Sequence, residues 1–232
     1  MRISKSFVGD YMYVLVACEC SQTVCKAFRL LGHIAFSCDI QSSYGGFPQW
    51  HIKGDCLPLL YGFCTFKTED GLSYTLNQHW DLIIAHPPCT FLSKAGANRL
   101  FYYLNGEKRL NLDRFLKLLE ARAFFYKIID FTPSSTLLCI ENPIPLKVAE
   151  LPAPSQVVEP FYYGDNTKKY TYLWLYNGLP PLLTFSTTRK PGVVPIVNAS
   201  SKYGGLYNSA KLRSEFSPFI ASAMANQWGC LR

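Results

Sequence analysis

The chain has 232 residues, 49% of them hydrophobic and only 17% charged, with no run of 18 apolar residues. This excludes a chain too polar to fold and a membrane-spanning helix, and it suits one good-sized domain with a substantial core. The net charge is +7, and its placement says more than its size: residues 1–165 hold 15 basic and 15 acidic side chains, so the whole excess lies in residues 166–232.

That last third carries Lys168, Lys169, Arg189, Lys190, Lys202, Lys211, Arg213 and Arg232 against one acid, Glu215. A basic end of this kind faces a polyanion such as nucleic acid, or else is a solvated tail. Residues 1–10 have a basic flavour without the apolar stretch of a signal peptide, so a cytoplasmic protein without a membrane partner is expected. The nine cysteines include no C-x-x-C pair, and the four histidines show no ligand spacing. Reduced, buried thiols are expected, with no metal site.

In chain order, Met12 to Ala17 reads as a buried strand. Ser21 is placed to cap a helix with Val24, Phe28 and Leu31 on one face, and Gly32 to end it. Ile34 to Cys38 is a second strand, which closes a βαβ unit. Residues 41–50 are loop-like, and Gly54-Asp55 follows a short strand. Trp80 to Ala85 is a strand. Leu110 to Ile129 reads as an amphipathic helix with Leu112, Phe115, Leu116, Leu119 and Ala123 inward. Thr136 to Ile140 is another strand. Glu159 to Tyr163 and Tyr170 to Tyr176 read as an antiparallel pair around Gly164-Asp165-Asn166. The stretch 178–215 is loop-rich and basic, and Phe216 to Trp228 is a closing helix. The expected class is α/β, with a mostly parallel sheet and a late antiparallel strand pair.

Ligands bind at the carboxyl ends of the strands in such sheets. Chemistry-bearing residues cluster there. Ala17-Cys18-Glu19-Cys20-Ser21 leads from the first strand into a helix, whose N-terminal amides can face a ligand. Asp39 ends the second strand, where an acid commonly takes a ribose hydroxyl pair, or else caps a loop. His86-Pro87-Pro88-Cys89 follows the Trp80 strand, and Glu141-Asn142-Pro143 follows Leu137 to Ile140. A cysteine on a proline-stiffened loop can be a nucleophile. A carboxylic acid on a neighbouring strand end can donate a proton to the group under attack. The aromatics Phe161, Tyr162, Tyr163, Tyr170, Tyr172 and Trp174 read as core and sheet face rather than as a base-stacking platform.

The order A-C-E-C-S, S-C-D, G-D, H-P-P-C, I-E-N-P over residues 12–176 resembles the DNA cytosine-5 methyltransferase family, in particular its compact bacteriophage members. The resemblance implies a Rossmann-like S-adenosylmethionine-dependent methyltransferase fold, a single catalytic domain over 1–232, and, for a phage-encoded protein, a place in the host cytoplasm. It implies that Cys89 attacks carbon 6 of cytosine and that Glu141 holds ring nitrogen 3. It assigns Cys18, Glu19, Cys20 and Ser21 to the methionine end of S-adenosylmethionine, Asp39 to the ribose, Asp55 to the adenine, and Pro87 to the wall between cofactor and base. Pro88, Ser93, Asn142, Lys168 and Lys169 fall on the substrate side. Residues 90–109 correspond to a mobile loop closing over the base, with Lys94, Arg99, Lys108 and Arg109 against Glu107 alone.

The chain departs from that family at several places. The first motif has cysteines and Glu19 in place of Phe-x-Gly-x-Gly. His86 stands for a glycine, and Pro143 for a valine. Lys168-Lys169 stands where the family has Gln-x-Arg-x-Arg. Residues 178–215 take the place of a large target-recognition domain. The expected activity is methylation of carbon 5 of cytosine in DNA through a covalent cysteine adduct. The alternatives are a related enzyme acting on RNA or free nucleotides, or an inactive methyltransferase fold that binds nucleic acid or a defence protein.

Overall fold

The computed structural model describes residues 2–3, 11–185, 194–195 and 215–231. Its strands are β1 (Arg2–Ile3), β2 (Tyr13–Ala17), β3 (Ile34–Asp39), β4 (His51–Lys53), β5 (Cys64–Lys67), β6 (Ser73–Leu76), β7 (Leu82–Ala85), β8 (Phe101–Leu104), β9 (Glu107–Leu110), β10 (Leu137–Pro143), β11 (Gln156–Val158), β12 (Thr167–Lys168), β13 (Thr171–Tyr176) and β14 (Val194–Pro195). The helices among the described residues are α1 (Thr23–Leu30), α2 (Leu112–Phe131) and α3 (Pro218–Trp228).

The main sheet has seven strands in the order β11-β13-β10-β7-β2-β3-β4. The five from β10 to β4 are parallel, and β13 adds an antiparallel edge joined by β11. β2 and β7 are apolar and buried along their whole length, as expected of parallel strands covered on both faces. Met12, Val14 and Val16 pack against α1 and α3. Tyr13, Leu15 and Ala17 belong to the opposite core, with α2 and the small sheet β1-β6-β5. The result is a three-layer α/β structure, with each fully buried large apolar side chain contributing about 1.5–3 kcal/mol. Trp80, Trp174 and Trp228 are among these, each with its indole N–H donating to a backbone carbonyl.

The chain leaves β2 toward β3 and β4, then returns to β7 and β10 on the other side. This puts a topological switch point between β2 and β7, where an open α/β sheet forms a crevice.

Four local readings differ from the sequence expectation. α1 begins after Gln22, in a left-handed conformation with φ 59°, rather than at a Ser21 cap, and Leu31 is exposed; Gly32, with φ +87°, does end it. α2 turns Leu118, Phe125 and Ile128 inward, while Leu112, Leu116, Leu119 and Ala123 face out. Apolar residues lie on more than one side of this helix, so no single stripe selects its rotation. Two arginines mark the rotation adopted: Arg114 donates to the Thr90 carbonyl at 2.7 Å, and Arg122 pairs with Glu150 at 2.6 Å.

The late antiparallel pair is β11 with β13, three residues earlier than expected at its first strand. Pro160 lacks an amide donor, and Pro160–Tyr163 is a 3₁₀ turn. Residues 90–109 are not one loop: a 3₁₀ segment, Lys94–Arg99, leads into the hairpin β8–β9. Asn105 and Gly106 at its tip, with φ 51° and 82°, match the Asn-Gly turn that two-residue hairpins favour. Of the loop-rich stretch 178–215, residues 186–193 and 196–214 lie outside the described residues, and with them Arg189, Lys190, Lys202, Lys211 and Arg213, as does Arg232 at the C-terminus.

Candidate active site

Strand register brings the site together. Ala17 is level with both Cys38 on β3 and Ala85 on β7, and Ala85 is level with Ile140 on β10. The next residue of each strand is therefore Cys18, Asp39, His86 and Glu141. The row is held by backbone bonds from His86 N–H to the Ala17 carbonyl, 2.9 Å, and from Glu19 N–H to the Cys38 carbonyl, 3.1 Å. Four separate sequence segments thus converge on one edge of the sheet.

β10 continues past the end of β7 because β13 still pairs with it, Glu141 opposite Leu173 and Pro143 opposite Thr171. Glu141 and Asn142 are therefore held within a strand rather than on a loose exit. The Asn142 side-chain N–H₂ donates to the Pro87 carbonyl at 2.8 Å. This ties the Pro-Pro-Cys segment to the Glu-Asn segment. The His86 Nδ1 lies 2.9 Å from Glu141 Oε2, with both side chains largely buried.

A cleft of about 310 Å³ opens at this row, with Glu19, His86, Pro87, Cys89, Glu141, Asn142 and Lys169 in its wall. Cys20, Ser21, Asp39 and Pro88 line it as well, and Glu215 and Phe216 border it from the segment before α3. The Phe216 ring packs on His86 with centroids 4.8 Å apart, and Lys169 Nζ donates to the Glu215 carbonyl at 3.0 Å. Two buried polar atoms in this wall, His86 Nε2 and Asn142 Oδ1, have no hydrogen-bond partner among the described residues. Buried polar atoms are normally paired, so these two stand out in the wall of the cleft.

Burial raises the Cys89 thiol pKa, and the nearby Glu141 carboxylate raises it further; Lys169 and the Ser93 hydroxyl oppose the rise. Ser93 is itself buried, and its N–H donates to the Cys89 carbonyl at 2.9 Å, so it sits behind the cysteine instead of on a mobile loop. Lys168 points elsewhere, its ammonium 4.8 Å from the Tyr170 ring centre. Of the two lysines, Lys169 is the one in the cleft wall.

Glu19 corrects another expectation. The first-turn amides of α1 are not free: the buried Glu19 carboxylate accepts from Val24 N–H at 2.6 Å and Cys25 N–H at 3.2 Å. Burial raises its pKa, while His86, the two amides and the Ser21 hydroxyl lower it. The turn also holds Cys18 and Gln22 at φ 60° and 59°, a left-handed geometry costing roughly 1–3 kcal/mol per non-glycine residue.

A second hollow of about 240 Å³ adjoins the first, sharing Cys18, Asp39, Gln41 and Pro88. Its walls are mainly apolar or thiol, with Ile40, Cys38, Cys56 and Phe124, and its carboxylates are Asp39 and Asp55. One oxygen of each carboxylate accepts a local amide, Gln41 N–H for Asp39 and Leu57 N–H for Asp55. Cys18 Sγ lies 3.9 Å from Cys56 Sγ; that contact and then burial raise the Cys18 thiol pKa, and burial raises that of Cys38.

Among the described residues, no three His, Cys, Asp or Glu side chains group as a metal site, and no helix is long and apolar enough to cross a membrane. The sequence reading gave no role to Glu215 and Phe216; nothing local marks them, because only the packing of α3 brings them to the cleft. The chain matches no known family model and no curated protein.

Proposed function

We propose that this protein is an S-adenosylmethionine-dependent methyltransferase acting on carbon 5 of cytosine in DNA. The observation that carries the reading is that Cys89 and Glu141 share one cleft wall, on strand ends whose neighbours open directly into a second, acid-rimmed hollow. A nucleophile and an acid on one side, with a nucleoside-sized slot on the other, suit a two-substrate transfer to a ring.

The donor set fits this cofactor. With Glu19 on the α1 amides, the helix N-terminus is closed to a pyrophosphate, which argues against a dinucleotide. A phosphate-free, cationic cofactor meets carboxylates instead: Glu19 for its methionine end, Asp39 for the ribose, and Asp55 with Ile40 and Phe124 for the adenine. S-adenosylmethionine bound there supplies an electrophilic methyl group.

The chain's own residues prepare the acceptor. Carbon 5 of cytosine is a poor nucleophile while the ring is aromatic. Addition of Cys89 Sγ to carbon 6 breaks that aromaticity, and Glu141 offsets the charge that builds at ring nitrogen 3. The Glu141 carboxylate is also the second cause of the raised Cys89 thiol pKa, so contact of Glu141 with the ring and ionisation of Cys89 are linked. Lys169 is the cation that favours the thiolate. Once carbon 5 carries the methyl group, a base such as water in the cleft takes the carbon-5 proton, the carbon 5–carbon 6 double bond re-forms, and the Sγ–carbon 6 bond breaks to release Cys89 as thiolate. The base is extruded from a duplex, or already unpaired, before Cys89 reaches its face.

Transfer of labelled methyl from S-adenosylmethionine to unmethylated DNA tests this, with Cys89→Ser alongside. The expected result is label in cytosine with the wild type only, cofactor binding in both, and covalent capture of the wild type by a 5-fluorocytosine oligonucleotide. Label in RNA or free nucleotides but not in DNA would reassign the acceptor. Absence of both label and cofactor binding would overturn the reading.

A further inference from the structure

We propose that one face of the hairpin β8–β9 is a docking surface for single-stranded DNA. The choice of DNA rests on the function proposed above; the surface itself rests on the hairpin. All eight strand residues are exposed, so none is there to build the core. A lone two-stranded hairpin is marginal in water, and its cross-strand contacts leave most of the Tyr103 ring exposed.

The register divides its side chains. Phe101 faces Leu110, and Tyr103 faces Lys108, so these four share one face; Tyr102, Arg109, Leu104 and Glu107 share the other. Lys108 Nζ sits 4.2 Å from the Phe101 ring centre, which agrees with that division. Glu107 is paired with Arg109 on the far face at 2.6 Å. The near face therefore combines two aromatic rings with a lysine and no acid, and Tyr103 is 73% exposed. Lys94 and Arg99 precede it, so residues 94–110 carry four basic side chains and one acid. Flat rings with interleaved cations are the chemistry that takes unstacked bases and their phosphates.

The hairpin is fixed to the site rather than tethered loosely. Asn111 N–H donates to the Leu100 carbonyl at 2.9 Å and closes its neck, and Leu100 is buried. Between Cys89 and the neck, Lys94 N–H donates to the Ile144 carbonyl at 3.0 Å and Leu146 N–H to the Leu92 carbonyl at 2.6 Å. A strand held on the hairpin is thus held by the same segment that carries Cys89.

The test is fluorescence anisotropy of the full chain with a labelled single-stranded DNA oligonucleotide over a salt series. Phe101→Ala with Tyr103→Ala is expected to weaken binding about tenfold or more. Lys108→Ala is expected to reduce the slope of log affinity against log salt by about 0.7. Tyr61→Ala with Phe63→Ala, exposed aromatics in the turn before β5, is expected to change neither. A wild type that binds no DNA, or a double variant with wild-type affinity, overturns the proposal and leaves the hairpin a face for a protein. Tighter binding of RNA of the same sequence overturns the choice of DNA. The two readings fail separately: hairpin-dependent binding without methyl transfer keeps this one and removes the enzyme, and methyl transfer with an indifferent hairpin does the reverse.

Discussion

His86 Nδ1 stands 2.9 Å from Glu141 Oε2, although 55 residues separate them in the chain. The contact follows from register: Ala85 is level with Ile140, so the next residues on the two strands are neighbours. His86 also feels Glu19 electrostatically and packs on Phe216, with Cys89, Lys169 and Glu215 around the same cleft. On the proposed function, it positions the acid that would face the substrate ring.

His86→Ala removes the only side chain seen to bond to the Glu141 carboxyl among the described residues. On the proposed function, kcat is expected to fall about tenfold or more while KM for the cofactor stays near the wild-type value. His86→Gln, which keeps a hydrogen-bonding side chain, is expected to recover part of the loss. Steady-state kinetics of the three proteins against one DNA substrate checks this. Equal kcat in wild type and His86→Ala would remove the positioning role.

Glu141→Gln separates the two effects of that carboxylate. Burial is the larger cause of the raised Cys89 pKa, and the Glu141 charge is the next. A neutral glutamine deletes the second cause, so more thiolate forms at a given pH. Alkylation of Cys89 by iodoacetamide, followed by peptide mass, is expected to run faster than in wild type at pH 8, while methyl transfer is lost. A slower or unchanged rate would show that Glu141 does not set the thiol's ionisation.

Glu19→Gln tests the buried carboxyl at the start of α1. Its folded pKa is raised above the ordinary value of 4.5, chiefly by burial. The folded state therefore holds this proton to higher pH than the unfolded chain does. Its contribution to stability is full below the unfolded pKa and is lost as pH rises through the folded one. The glutamine carries no such penalty. Urea unfolding over a pH series is expected to show the variant gaining on wild type as pH climbs above about 4.5. A difference that is flat with pH, or that turns against the variant, would contradict a raised carboxyl.

The central architecture was legible from residue order. β2, β3, β7 and β10 are largely apolar runs bounded by small and polar residues, as parallel strands buried on both faces must be, and α1 between them is amphipathic with Val24, Cys25 and Phe28 inward. What periodicity could not rank was orientation. α2 has apolar residues on more than one side, and its inward face is set by the packing of Leu118, Phe125 and Ile128 against elements distant in sequence, with the exposed contacts of Arg114 to Thr90 and Arg122 to Glu150 outside it. The hairpin β8–β9 carries a readable signal, Asn105-Gly106 between two strand-like runs, where the family resemblance implies a mobile loop.

For the site, the residue types and their strand-end positions were written in the chain. Cys89, Glu141, Glu19 and Asp39 each follow an apolar run and Asp55 follows the short strand β4, and a parallel sheet must deliver such ends to one edge. Which of them meet was decided only in three dimensions. Register set His86 against Glu141, Glu19 turned onto the α1 amides instead of leaving them open, and Lys169 rather than Lys168 reached the cleft. The physical reason is that a strand's end is a local property of its sequence. A pairing across 55 residues is a property of the hydrogen-bonded ladder between strands, which no local pattern encodes.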